Sequence, residues 1–318
     1  MNQRIYFSAS SYFKEKYGKK FKRLPIDAGF SCPGRCIYCS STGSLAYNSS
    51  AILKSNFSRE DKSLAKRYLY RFTIEQRMEL IKNQIEKLYK RDGKTLLYLY
   101  FQSFSNTFDS IKNMKKIYDY SLNLAKFDGV FIGTRPDCID LEKTKFLSNY
   151  SKNYDLWIEL GLQSSNEKTL QFINRKHTAS DFEFAANLLK SYGIKIIAHI
   201  IIGLNDEKTE DLIETIKFLN KTGIDGIKFH NLYILPNTEI VKYYEKGIQK
   251  VLSEEEYISL LAKAISYLKN DIIVFRLFSD PEEGFIAPKW KSNKLQLINK
   301  FEEFCKKNYI YQGKLWKD

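Results

Sequence analysis

Apolar residues recur along this chain in two rhythms, and the rhythms alternate. Short strand-like runs, some of them apolar almost throughout, predict strands at Phe21 to Asp27, Thr95 to Gln102, Gly129 to Thr134, Leu156 to Leu160, Ile194 to Ile202 and Asp225 to Leu232. Between them the apolar positions fall three and four apart. Ile74, Met78, Ile81, Ile85 and Leu88 share one face of a helix expected over Ile74 to Lys90. Further helices are expected over Ile111 to Lys126, Leu141 to Asn149, Asp181 to Ser191 and Glu207 to Lys221. Six βα units in this order predict an α/β fold with a parallel, barrel-like sheet wrapped by helices. The run Ile196 to Ile202 suits a strand with helices on one face and packed side chains on the other.

After Asn237 the pattern predicts helices over Thr238 to Lys246 and Ser253 to Asn270, a strand-like run from Ile272 to Leu277 and a last helix over Lys294 to Asn308. This part is expected to close the open side of the sheet. The chain then divides into a basic extension at 1–21, a core at 22–236 and an extension at 237–318 packed on the core. The longest apolar run, Ile196 to Leu204, contains His199 and falls well short of the roughly 20 residues that a spanning helix needs. The first fifteen residues lack the apolar stretch of a secretory signal. A cytoplasmic protein with no membrane partner is expected.

In parallel βα folds, functional groups gather where the carboxyl ends of strands open into loops. Polar residues and glycines recur at those ends: Gln102 and Ser103, Gly133 to Cys138 with Thr134, Glu159 to Ser164, Gly203 to Glu207, and His230 with Tyr233. The loop after the first strand carries the sharpest chemistry. Cys32, Cys36 and Cys39 lie within eight residues, a spacing that suits three corners of a cubane iron–sulfur cluster and leaves its fourth iron for another ligand. The competing reading is a zinc knot, which needs a fourth ligand from Cys138, Cys305 or one of three histidines, all distant in sequence. Five cysteines at irregular spacing make no disulfide framework, and a cluster needs a reducing compartment.

Charge adds a possible partner. The chain carries a formal net charge of +14, with Lys14, Lys16, Lys19, Lys20, Lys22 and Arg23 set against Glu15 alone, and a second basic stretch over 54–94. Such surfaces attract phosphates, and the 22 Tyr and 22 Phe could stack unpaired bases. The abundance of Lys, Asn, Ile and Tyr together is equally the mark of an AT-rich genome.

The segments KRLPIDAGFSCPGRCIYCS, YLYFQSFSNT, GTRPDCI, WIELGLQSSNEKTLQFINRKHT, AHIIIGLND, DGIKFHNLYILPNTEI, RLFSD and IAPKW resemble the successive motifs of radical S-adenosylmethionine (SAM) enzymes. The branch is that typified by YhcC and YtqA, itself similar to the radical domain of the Elongator catalytic subunit and to oxygen-independent coproporphyrinogen oxidase. The resemblance runs from about residue 4 to 300 and implies a partial (βα)6 TIM-like barrel, a [4Fe-4S] cluster on Cys32, Cys36 and Cys39, and SAM as second cofactor. Tyr38, Gln102, Ser103, Thr134, Glu159, Gln163, Arg175, His199 and Leu232 fall at its SAM-site positions. GLND stands where the branch usually has GLPGE. The implied chemistry is reductive cleavage of SAM to a 5′-deoxyadenosyl radical, with an electron donor such as flavodoxin or ferredoxin. Cys138, His230, Tyr233 and Arg276 are candidates for a catalytic protein group. The implied substrate is tRNA, at the C5 side chain of a wobble uridine. A small-molecule substrate and a non-catalytic, zinc-stabilised RNA-binding protein are the alternatives.

Overall fold

The computed structural model describes residues 4–39, 72–280 and 284–317. That part of the basic stretch 54–94 which falls within 40–71 lies outside the described residues. One sheet holds seven parallel strands in chain order: β1 (Lys20–Ile26), β2 (Thr95–Phe101), β3 (Gly129–Thr134), β4 (Asp155–Gln163), β5 (Lys195–Ile202), β6 (Gly226–Asn231) and β7 (Ile273–Arg276). All six expected core strands form, and the strand-like run after residue 271 adds a seventh beside β6. The helices are α1 (Ala9–Tyr17), α2 (Ile74–Leu88), α3 (Ile111–Asn123), α4 (Leu141–Ser151), α5 (Glu167–Phe172), α6 (Ala179–Ser191), α7 (Thr209–Thr222), α8 (Ile240–Glu245), α9 (Glu254–Tyr267) and α10 (Lys294–Lys307). Several begin at reciprocal caps, such as Thr73 with Gln76 on α2 and Ser253 with Glu256 on α9, which satisfy backbone donors that no helix turn can. Among the described residues no helix is long and apolar enough to cross a membrane.

The sheet curls. β1 and β7 are its two edges, yet the rings of Phe21 and Phe275 on those edges lie 6.4 Å apart. Alternate strand residues therefore face either a convex, helix-covered side or a concave interior. Leu97, Leu99, Val130, Ile132, Ile158, Ile196 and Ile200 face outward and pack with Ile81, Met114, Phe182 and Leu261 of the helices. Tyr98, Phe131, Trp157, Ile197 and Ile273 face inward at the amino-terminal end of the strands, where α1 inserts Phe13. The Phe13 ring is fully buried and stacks on Phe21 at 4.1 Å, with Tyr98 edge-on at 5.3 Å. Burying one such ring contributes roughly 2–3 kcal/mol. The lysines at 14, 16, 19 and 20 stay exposed on the same segment. Higher in the strands the interior departs from the apolar filling expected of it, because Arg23, Glu159, His199 and Lys228 occupy inward positions.

Candidate functional site

The cysteine loop follows β1 and is tied to three neighbouring loops. Ser105 N donates to Ser31 O (3.1 Å), Ile37 N to Ile173 O (3.1 Å), and Ile240 N to Ile37 O (2.9 Å), while Asn174 Nδ2 donates to Arg35 O (2.8 Å). Backbone hydrogen bonds on both flanks hold the loop against the mouth of the sheet. A methyl group at Gly34 would fall 2.3 Å from Arg135 Nη1 and 3.3 Å from Cys32 Sγ, so this close approach requires glycine. Gly34 N points at Cys32 Sγ (3.4 Å). Cys36 is buried, and its sulfur faces two guanidinium groups: Arg175 Nη1 at 3.4 Å and Arg135 Nη1 at 3.8 Å. Cys32 and Cys39 are half-buried, and no disulfide joins any of the five cysteines. Burial, then the nearby Cys36 sulfur, keeps the Tyr38 hydroxyl protonated well above its ordinary range.

Both arginines are fixed from several sides. Asp137 grips Arg135 with two bonds of 2.8 Å, and Arg135 Nη2 donates to Arg175 O at 2.6 Å. Arg175 Nη2 donates to Gly161 O at 2.5 Å, and its Nε is buried without a partner. Arg175 sits between two residues in the left-handed region, Asn174 (φ 54°) and Lys176 (φ 65°). The register of β4 against β5 slips between Gly161 and Gln163, and Gln163 itself has φ 79°. A bulge of this kind re-aims a side chain, and a non-glycine residue held in this region costs about 1–3 kcal/mol.

The other expected contacts sort into open and committed groups. Gln102 is half-buried, and Ser103 is buried with an unpartnered hydroxyl. Asn106 pins their loop by donating to Phe101 O (3.0 Å) and Gly133 O (2.8 Å). The Thr134 hydroxyl is already held between those of Ser105 (2.9 Å) and Thr107 (2.6 Å). Leu232 packs with Ile37, Ile173, Ile201 and Leu204 in a small core beneath the cysteine loop. Cys138 is buried in a short 3-10 turn, and burial pushes its thiol up to about 11, so it stays protonated at neutral pH. Tyr233 packs on Phe285 (5.1 Å) and Trp290 (6.4 Å).

Glu159 is wholly committed to protein. Lys228 Nζ lies 2.6 Å from both carboxylate oxygens, Tyr100 OH donates at 2.6 Å, His199 Nε2 stands at 2.9 Å, and Arg23 Nη1 at 3.5 Å. Burial opposes ionisation of this carboxyl, but Lys228, His199 and Arg23 together hold it well below the usual carboxylate range. Burial and Lys228 push His199 down to about 4. A neutral His199 places its proton on Nε2, toward Glu159, and leaves Nδ1 as an acceptor. Its ring stacks on that of His230 at 5.1 Å. His230 Nδ1 meets Ser279 Oγ at 2.9 Å, while its Nε2 is buried without a partner. Arg276 lies across from Lys228 in the β6–β7 register.

Sequence reasoning missed Arg135 and Lys228. The available signal for Lys228 was a lysine two residues before His230, between the apolar Ile227 and Phe229; Arg135 gave none, since its 99-residue reach to Cys36 exists only in the fold.

A parallel curled sheet with a three-cysteine loop after its first strand defines a cluster-and-SAM enzyme architecture, and the chain belongs to the radical SAM superfamily, whose description matches residues 28–219. The Radical_SAM C-terminal domain matches residues 224–307. The chain is 34% identical over 313 residues to the protein MJ0486 of Methanocaldococcus jannaschii, covering 95% of this chain and 89% of that one. It is 31% identical over 325 residues to YtqA of Bacillus subtilis, covering 99% and 94%. A tRNA uridine(34) acetyltransferase of M. jannaschii is 28% identical over 181 residues, which are 54% of this chain and 32% of that protein. Among solved structures, the archaeal Methanocaldococcus infernus Elp3 superposes with a TM-score of 0.65 at 19% identity, over 92% of this chain and 64% of that one.

The cofactors of this superfamily are a [4Fe-4S] cluster and SAM. The donor set fits them. Three thiols share one pinned loop, guanidinium groups favour a thiolate at Cys36, and Ser31 Oγ, Ser103 Oγ and Arg175 Nε are buried polar atoms without partners. Among the described residues no three His, Cys, Asp or Glu side chains already converge on one metal-sized point, so the fit rests on donor chemistry.

Proposed function

We propose that this enzyme holds a [4Fe-4S] cluster on Cys32, Cys36 and Cys39, binds SAM beside it, and modifies tRNA at the C5 side chain of a wobble uridine. The observation that carries the cofactor part is the pinned cysteine loop with Arg135 and Arg175 at Cys36. When bound, cluster and SAM supply a one-electron reduction that splits SAM into methionine and a 5′-deoxyadenosyl radical.

The chain's own residues bind and orient. Arg175, held through Nη1 and Nη2, offers its unpartnered Nε to a carboxylate near the loop, and Asp137 keeps Arg135 from swinging away from Cys36. Ser103 and Gln102 offer polar atoms to an ammonium, and His199 Nδ1 is an acceptor for a ribose hydroxyl. Leu232 and its apolar neighbours keep water from beneath the loop. A flavodoxin or ferredoxin is the class of electron donor this chemistry needs, and cytoplasm is a compartment that keeps the thiols reduced.

Two observations support tRNA over a small molecule: the likeness to a tRNA uridine(34) acetyltransferase, and the net charge of +14 with exposed Lys14, Lys16, Lys19 and Lys20 near the amino terminus. Anaerobic incubation of the reconstituted enzyme with total tRNA, SAM and reductant, followed by nucleoside mass spectrometry, tests it. A SAM-dependent new or lost wobble nucleoside is expected, with tRNA binding that weakens as salt rises. Unchanged nucleosides from an enzyme that still cleaves SAM would transfer the activity to a small molecule.

A further inference from the structure

The concave face gathers three cations, Arg23, Lys228 and Arg276, about one carboxylate, Glu159. Lys228 and Glu159 satisfy each other at 2.6 Å. Arg23 reaches the same carboxylate at 3.5 Å. Arg276 is left over: it is half-buried, and its side chain makes no ion pair or hydrogen bond among the described residues. The register slip between β6 and β7 sets Arg276 opposite Lys228, whose side chain points into the hollow at Glu159, so the two share the concave face. Beside it, His230 Nε2 is buried and unpartnered, while Nδ1 meets the Ser279 hydroxyl. With Nδ1 accepting from that hydroxyl, the imidazole carries its proton on Nε2 and can donate it.

We infer that Arg276 and His230 form a receptor, inside the curled sheet, for a terminal anionic group of the substrate: a carboxylate or a phosphate monoester. A half-buried guanidinium with no ion pair among the described residues is free to take an anion, and its planar fork matches both anions. The stacked His199 ring fixes the plane of His230 at 5.1 Å, so its donor does not have to be ordered on binding. The hollow has a floor. Phe13, Phe21, Tyr98, Trp157 and Phe275 pack across the far end of the strands. A backbone phosphodiester, with chain on both sides, cannot thread into a closed hollow, whereas a terminal group can. The inference rests on the concave face being the substrate side of the radical SAM reading, but anion binding itself requires neither cluster nor SAM.

The test titrates the full chain, with and without its cluster, with inorganic phosphate in one arm and acetate in the other, against chloride at matched ionic strength. Thermal midpoints and histidine side-chain ¹H–¹⁵N spectra are read together. At least one anion should raise the midpoint saturably above chloride and shift the His230 resonances, and the stronger arm identifies the anion class. Arg276→Gln should weaken this response by about tenfold or more, and the exposed Lys112→Gln should leave it unchanged. Should Arg276→Gln fail to fold, Arg276→Lys keeps the charge, loses the fork and should still weaken binding. Identical titrations of wild type and Arg276 variants, or no saturable effect of either anion beyond chloride, would overturn the inference. Failure of the radical SAM reading would appear separately, as a protein that binds the anion yet yields no 5′-deoxyadenosine.

Discussion

Lys228 Nζ sits 2.6 Å from both carboxylate oxygens of Glu159, and both side chains are buried at the centre of the curled sheet. The pair joins β4 to β6, strands that are not neighbours, and so braces the concave wall from which His199 and His230 project.

Removing one partner should be far worse than removing both. Lys228→Met leaves a buried carboxylate with only Arg23, His199 and Tyr100 to hold it, and is expected to cost roughly 3–5 kcal/mol in urea unfolding. The double variant Glu159→Gln with Lys228→Met should recover a substantial part of that loss. A single-variant cost below about 1 kcal/mol would mean that the pair does not brace the wall.

Acid should destabilise the protein before ordinary carboxylates titrate. Burial, with Arg175 and Arg135, pushes His177 down to about 4; burial and Lys228 do the same to His199; and burial and Arg276 hold His230 well below its ordinary value. The unfolded chain protonates these histidines below about 6.5 while the native one does not, so stability is full above that pH and is lost as pH falls toward 4. Burial pushes Glu207 up to about 7, and this carboxyl works in the opposite sense. Three histidines against one carboxyl leave a net uptake of two protons on unfolding, or on the order of 2–3 kcal/mol per pH unit between about pH 5 and 6.5. Urea midpoints across that window should climb with pH, and His177→Gln should flatten the slope by one proton's worth. A flat profile contradicts the assignment.

Gly34 should be intolerant of a single methyl group. Gly34→Ala would press on Arg135 Nη1 at 2.3 Å, a group that Asp137 prevents from yielding, and on Cys32 Sγ at 3.3 Å. Iron and sulfide content after anaerobic reconstitution should fall several-fold, and the unfolding free energy should drop by about 1–3 kcal/mol. Wild-type iron content in this variant would show that the loop is looser than its hydrogen bonds indicate.

Local patterns sufficed for the strands, most helices and the cysteine loop, because each of those is written in a run of adjacent or regularly spaced residues. The interior of the sheet was harder. An inward lysine or glutamate looks like a break in an apolar strand, and only curvature brings Glu159 of β4 to Lys228 of β6. In sequence, helix α1 presents itself chiefly as basic charge, because its one fully buried ring, Phe13, is surrounded by lysines and serines. Its signals were Ser8 at the amino-terminal cap and Gly18 at the carboxyl-terminal cap, the latter with φ 66°. Arg135 looked like loop punctuation, since nothing in GTRPDCI says that its side chain turns back over a cysteine.

The most direct test of the whole account is to reconstitute the protein anaerobically with iron and sulfide, then add reductant and SAM, with Cys32→Ala, Cys36→Ala and Cys39→Ala beside it. The wild type should hold about four irons per chain and release 5′-deoxyadenosine, and each cysteine variant should lose both while keeping its far-ultraviolet dichroism. A wild-type protein that takes up zinc instead of a cluster, or a cysteine variant that still yields 5′-deoxyadenosine, would contradict it.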